Sequence, residues 1–128
     1  RPDALTAGHR QLTARAHAGG VRIVGATLTP FEGALADSPM RDYFNADKER
    51  VRQAVNAWIR ESGPSDGVAD SDALLRDPAR PSRLRAGSDS GAHLHPGDAG
   101  YQAMAQAIDL DTLLGDATRP ASSSPQGL

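Results

Sequence analysis

No cysteine occurs in the chain. That excludes disulfides and thiolate chemistry and leaves the compartment open. Aromatic residues make up only 4% of the sequence, so a core must be built mostly from Ala, Val, Leu and Ile. No block of Lys or Arg stands out and the formal net charge is -2, which argues against a nucleic-acid binder. No apolar run approaches the ~20 residues that a membrane-spanning helix needs. No signal peptide and no internal repeat are visible. The first residue is Arg1 rather than Met, and the expectation is a processed N-terminus or a piece of something larger. What is present is 128 residues, 38% of them hydrophobic, enough for the core of one domain.

Residues 3–18 read as a helix with a weak apolar side from Leu5, Leu12, Ala14 and Ala16, stopped by Gly19-Gly20. His9 and His17 read as surface residues, His17 favouring the negative end of the helix dipole. Residues 21–28 are short, β-branched and nearly continuous in apolarity, as expected of a strand buried on both faces in a parallel sheet. Helix, glycine turn and buried strand make half of an α/β crossover unit. Ligands of open α/β sheets bind beyond the carboxyl ends of strands. Residues 27–31 therefore read either as a cleft rim, with Thr27 and Thr29 on it, or as a plain strand-exit loop.

Residues 32–42 read as loop. Asn45 or Asp47 is expected to cap a helix to about Glu61. Its stripe is Val51, Ala54, Val55, Trp58 and Ile59, and its polar side Lys48, Glu49, Arg52, Gln53 and Arg60. Trp58 reads as a core anchor whose indole N–H needs an acceptor. Residues 66–70 read as a second parallel strand, 73–76 as a turn of helix and 77–91 as loop. A last helix is expected from Asp98 to about Leu110, with Tyr101, Met104, Ala105 and Ile108 sharing a face and Leu113 and Leu114 in a further turn. Past Gly115 the composition shifts to Thr, Arg, Pro, Ala, Ser and Gln. This assigns residues 1–115 to the domain and 116–128 to a disordered tail. Two strands and three helices do not close an α/β core, so marginal stability or association is expected.

The stretch Ser88-Asp89-Ser90-Gly91-Ala92-His93-Leu94-His95-Pro96-Gly97-Asp98-Ala99-Gly100-Tyr101 crowds imidazoles, carboxylates, glycines and a proline before the last helix. Asp98 can cap that helix, and Gly97 and Gly100 permit close backbone approach. A loop-held histidine suits proton transfer because its pKa lies near neutrality. The run resembles the last block of the SGNH (GDSL) serine ester hydrolases, read as Asp-x-x-His-Pro followed by Asp-Ala-Gly-Tyr. Gly25-Ala26-Thr27-Leu28-Thr29-Pro30-Phe31, Val55-Asn56-Ala57-Trp58-Ile59-Arg60 and Leu75-Arg76-Asp77-Pro78 agree with it. Together these segments cover most of residues 5–114, in family order. The resemblance implies an α/β fold: part of a flavodoxin-like three-layer α/β/α sandwich with parallel strands, its N-terminal part missing. It implies hydrolysis of carboxylic esters, of lipids or acetylated carbohydrates, through an acyl-serine and without a cofactor. Many relatives are secreted, which is an analogy and does not fix the compartment.

In that chemistry a serine attacks the acyl carbon, a histidine takes its proton, an Asp orients the imidazole, and an oxyanion hole holds the developing charge. By motif position His95 is the general base. Ala92 stands where the Asp belongs, and a methyl group neither accepts the imidazole N–H nor supplies charge. Asp89 and Asp98 are the nearest substitutes, each requiring an unexpected loop path. Neither Gly-Asp-Ser nor Gly-x-Asn-Asp occurs in the sequence. Gly87-Ser88-Asp89-Ser90-Gly91 carries Asp where a nucleophile elbow needs Ser. Ser71 replaces a bulky apolar residue of the family, at about 1.5–3 kcal/mol of lost burial if the site is interior. The chain alone is therefore expected to be inactive, with a degenerate non-catalytic fragment or interaction module as the alternative. In the family reading His93 and Leu94 shape the loop, and His93 joins Thr27 and Thr29 at the candidate rim. A third reading makes His93-x-His95, with Asp89 or Asp98, a metal-binding module.

Overall fold

Glycine sets the first change of direction. In a computed structural model that describes residues 1–115, helix α1 (Pro2–Ala18) ends where the Gly19 N–H donates to Arg15 and Ala16 carbonyls. Gly20, at φ +70°, then turns the chain into β1 (Val24–Ala26). Pro2 at the helix start loses nothing, because the N–H it lacks would have no partner there. Strand β1 pairs in parallel with β2 (Gly67–Ala69), Val24 opposite Gly67 and Ala26 opposite Ala69. The molecule is thus mixed α/β, with helices around a small two-strand parallel sheet.

Both strands are shorter than expected, and the sheet is not buried on both faces: Ala26 in β1 and Val68 in β2 are exposed. The ladder ends where other groups claim the backbone. The Ile23 N–H donates to the Asp66 carboxylate. The side-chain amide of Asn56, itself fully buried, accepts from the Leu28 N–H at 2.7 Å and donates to the Leu28 carbonyl at 2.8 Å. Asn56 thereby takes the place of a neighbouring strand just past the end of β1.

Helix α2 (Ala46–Glu61) is capped by Asn45, whose Oδ1 accepts from the Lys48 N–H at 2.9 Å. Val55 and Ile59 are buried, as the stripe requires. The expected polar side is corrected at two positions. Arg52 is only 2% exposed, and Arg60 is mostly buried, because α3 (Ser71–Leu75) brings carboxylates against them. Trp58 holds α1 to α2, with the His9 ring edge-on at 5.7 Å and the Arg10 guanidinium 5.3 Å from its centre. His9 is accordingly half-buried rather than a surface residue. The Trp58 indole N–H finds no acceptor among the described residues. His17 is exposed and bonds Asp66 at 2.9 Å.

The expected last helix is divided into α4 (Asp98–Gln106) and α5 (Leu110–Leu114), the second capped by Asp109. Asp98 does not cap α4. Extended Gly97 occupies the cap position, and Asp98 is the first helical residue. The apolar face read for this helix is also corrected: Tyr101 and Ile108 are exposed. Helix α4 instead packs through Gly100, where a Cβ would stand 2.6 Å from the Ser88 carbonyl oxygen. Buried hydrophobic side chains among the described residues are few: Ala34, Val55, Ile59, Leu75 and Leu84. Thr13, Thr27, Arg52, Asn56, Ser71, Asp72 and Ser88 are buried with them. The tail assigned to residues 116–128 lies outside the described residues.

Candidate functional site

The carboxyl ends of the two strands are tied by an ionic network. Thr27, the first residue past β1, donates its hydroxyl to Asp70 and accepts from the Asp72 N–H, both at 2.9 Å. Asp70 caps α3 through the Ala73 N–H and takes two bonds of 2.8 Å from Arg60. Asp72, fully buried, meets Arg52 at 2.5 Å, Arg60 at 2.6 Å and Arg76 at 3.2 Å. Arg52 also grips Glu49 at 2.6 and 2.8 Å and the Leu28 carbonyl at 3.0 Å. Three guanidinium groups thus face three carboxylates, which is what allows the charges to be buried.

The titration of these groups follows. Hydrogen bonds from Arg60 draw the Asp70 pKa far below the usual carboxylate range. Burial pushes Asp72 upward, and Arg60 and Arg52 outweigh it, so its pKa also falls. Arg60, held by Asp70, is raised. Thr27 is buried, its hydroxyl committed to this network.

Above it runs a groove of about 420 Å³ lined by Leu28, Thr29, Phe31, Tyr43, Val51 and Leu94, with Lys48 and Arg52 at its polar side. Phe31 meets Tyr43 and Phe44 edge-on at 6.0 and 5.1 Å. Lys48 is held by the carbonyls of Asp42 and Tyr43. Of the two threonines read as a rim, Thr29 lines the groove.

The loop carrying both histidines is closed at its base. Asp89 and Pro96 form an antiparallel bridge, the Ser90 N–H donates to the His95 carbonyl at 3.1 Å, and the Gly97 N–H donates to the Ser88 carbonyl at 2.8 Å. Pro96 and Gly100 are buried beneath it. Within the loop, Asp89 Oδ1 accepts from the N–H groups of Gly91 at 2.9 Å and His93 at 3.0 Å. Asp89 Oδ2 lies 2.5 Å from His93 Nδ1. Burial raises the Asp89 pKa, but those N–H groups and the imidazole bring it below the ordinary value. His93 takes the left-handed backbone, φ 55°, a region in which His, with Asn and Asp, is enriched among non-glycine residues.

His95 and Ala92 are exposed, and the His95 imidazole has no hydrogen-bond partner among the described residues. Asp98 is exposed at the start of α4. The site thus joins Asp89 to His93, and Asp98 to neither imidazole. No group of three or more His, Cys, Asp or Glu side chains able to hold a metal occurs among the described residues. No helix among them is long and apolar enough to cross a membrane. Sequence reasoning missed the Asp70/Asp72–arginine network, whose available signal was Asp-Ser-Asp directly after a strand.

A family model described as the GDSL-like lipase/acylhydrolase family matches residues 2–103 of the 128-residue chain. No curated protein matches it.

Proposed function

The chain belongs to the GDSL-like lipase/acylhydrolase family, and on that premise we propose that residues 1–115 are the C-terminal, histidine-bearing portion of an SGNH ester-hydrolase domain. The family implies the SGNH fold, a flavodoxin-like three-layer α/β/α sandwich. A two-strand parallel sheet with apolar side chains left exposed supports the reading that further strands belong beside it. The absence of Gly-Asp-Ser and Gly-x-Asn-Asp from the sequence supports the view that the nucleophile and the oxyanion-hole asparagine come from that other portion. The substrates in this reading are carboxylic esters, of lipids or acetylated carbohydrates.

The observation that carries the proposal is the meeting of the His-Pro loop with an apolar groove just past the end of β1. Leu94, between the two histidines, lines that groove together with Leu28 and Thr29. An ester's acyl group fits such a groove while an imidazole of the loop that carries Leu94 accepts the nucleophile's proton. By motif position that imidazole is His95. Ala92 leaves it without an orienting carboxylate, and the chain alone is inactive in this reading.

The experiment joins the chain to an N-terminal portion carrying the two missing blocks and compares Ala92 with Ala92→Asp on a p-nitrophenyl ester. Loss of the orienting Asp lowers turnover about 10⁴-fold in a serine protease, so the Ala92→Asp chain is expected to be faster by several powers of ten. Equal rates would remove the triad assignment and favour a degenerate, non-catalytic fragment.

A further inference from the structure

We infer that the apolar groove takes an anionic amphiphile: an apolar body whose far end carries a negative charge met by Lys48. That occupant deepens the hydrolase reading, on which it rests, by naming the class of ester the groove selects. The wall that α2 gives the groove is Lys48, Val51 and Arg52, at i, i+3 and i+4 and so on one side of the helix. Its two cations are unlike. Arg52 is 2% exposed, and its charge is answered by Glu49 and Asp72. Lys48 is exposed, one turn nearer the helix start, and forms no ion pair among the described residues. The carboxylates beside it on α2 are taken, Asp47 by Arg50 and Glu49 by Arg52 and Gln53.

The partners Lys48 does have are neutral. Two of its three N–H groups go to the carbonyls of Asp42 and Tyr43, at 2.9 and 2.7 Å, and Nζ lies 5.5 Å from the centre of the Tyr43 ring. They fix the ammonium at the groove wall and leave its charge and its third N–H for a ligand. The side chain has thus already given up the freedom that an exposed lysine usually loses on pairing. Beyond Lys48 there is room for a polar end. A second hollow of about 460 Å³ is lined by Met40, Arg41 and Asp42 together with Tyr43 and Lys48. It shares those last two with the groove and none of Leu28, Thr29 and Leu94. The groove therefore has an apolar end at Leu28 and Leu94 and a charged end at Lys48. Lys48 and Arg41 outnumber Asp42 there, a positive balance in a chain of net charge -2. An ester seated by the loop of Leu94 lays its apolar body along Phe31 and Val51 and brings a distal anion to Lys48.

Binding by the unaltered chain tests this without turnover. Octanoate, 1-octanol and octylammonium share one apolar body and differ in the end group. Each is titrated at neutral pH and followed by amide shifts in ¹H–¹⁵N spectra. Octanoate is expected to bind about fivefold more tightly than octanol, the upper end for an exposed ion pair, and octylammonium most weakly. The shifts should gather at Leu28, Phe31, Tyr43, Val51 and Leu94. Lys48→Gln should bring octanoate to parity with octanol, and Lys48→Arg should keep the preference. Arg15→Gln, an equal change of charge on exposed α1 surface, should leave it unaltered. Equal affinity for octanoate and octanol, no binding by any of the three, a preference that survives Lys48→Gln, or shifts scattered over Leu12, Val21 and Leu110 overturns the inference. The Ala92→Asp comparison reads turnover in the completed domain, so either result can fail with the other intact.

Discussion

At Asp72 three guanidinium groups converge on one carboxylate that solvent does not reach. Such a pair is a weak source of net stability but a costly one to break, because the surviving partner stays buried and charged. Asp72→Asn removes one of the two carboxylates that hold Arg52, Glu49 remaining, and is expected to cost about 1–3 kcal/mol, read as the shift of a urea unfolding curve. The same groups set the acid response. The pKa values of Asp70 and Asp72 are depressed in the folded chain, so the unfolded chain binds protons first as the pH drops. Their contribution is whole above the unfolded carboxylate value of about 3.9 and is lost as pH falls below it toward the folded values. The melting temperature should therefore be steady from pH 7 to 5 and decline below about pH 4, less steeply in Asp72→Asn.

Among the elements, α4 and the His-Pro loop meet through a missing side chain. A Cβ at Gly100 would stand 2.6 Å from the Ser88 oxygen and 2.8 Å from Pro96 Cβ. Gly100→Ala is expected to cost about 1–3 kcal/mol and to release the loop base, seen as faster amide exchange at Ser90 and Gly97. Unchanged exchange there would mean the contact is slack. That a close approach was possible at Gly100 was legible in the glycine itself, and the Asn45 cap and the Val55/Ile59 stripe were legible because each depends on neighbours within a few residues. Arg52 was not legible: its carboxylate partner Asp72 lies 20 residues away on another helix, and a charged side chain in a helical pattern reads as solvent-facing until that partner is placed. The pairing of Asp89 with His93 was hidden for a different reason. It requires the left-handed backbone at His93, which residue type alone does not announce. In the candidate site the sequence offers His95 only as a motif position, and the Asp89–His93 contact was not legible in it.

For the whole molecule, exposed apolar side chains and a two-strand sheet dominate behaviour in solution. Leu12, Val21 and Leu110 are each more than half exposed, and the sheet ends at two strands among the described residues. The chain is expected to elute on size exclusion above its 13.4 kDa monomer mass, or to melt broadly. A sharply melting monomer would contradict this. The thin apolar interior has a thermal consequence as well. The heat-capacity increment of unfolding comes from apolar surface newly wetted, and exposed polar groups subtract from it. A molecule whose buried set is largely hydroxyl, amide and ion therefore has a shallow stability curve, nearly level across ordinary temperatures. It has little reserve to draw on when cooled, and its loss of structure on heating is gradual.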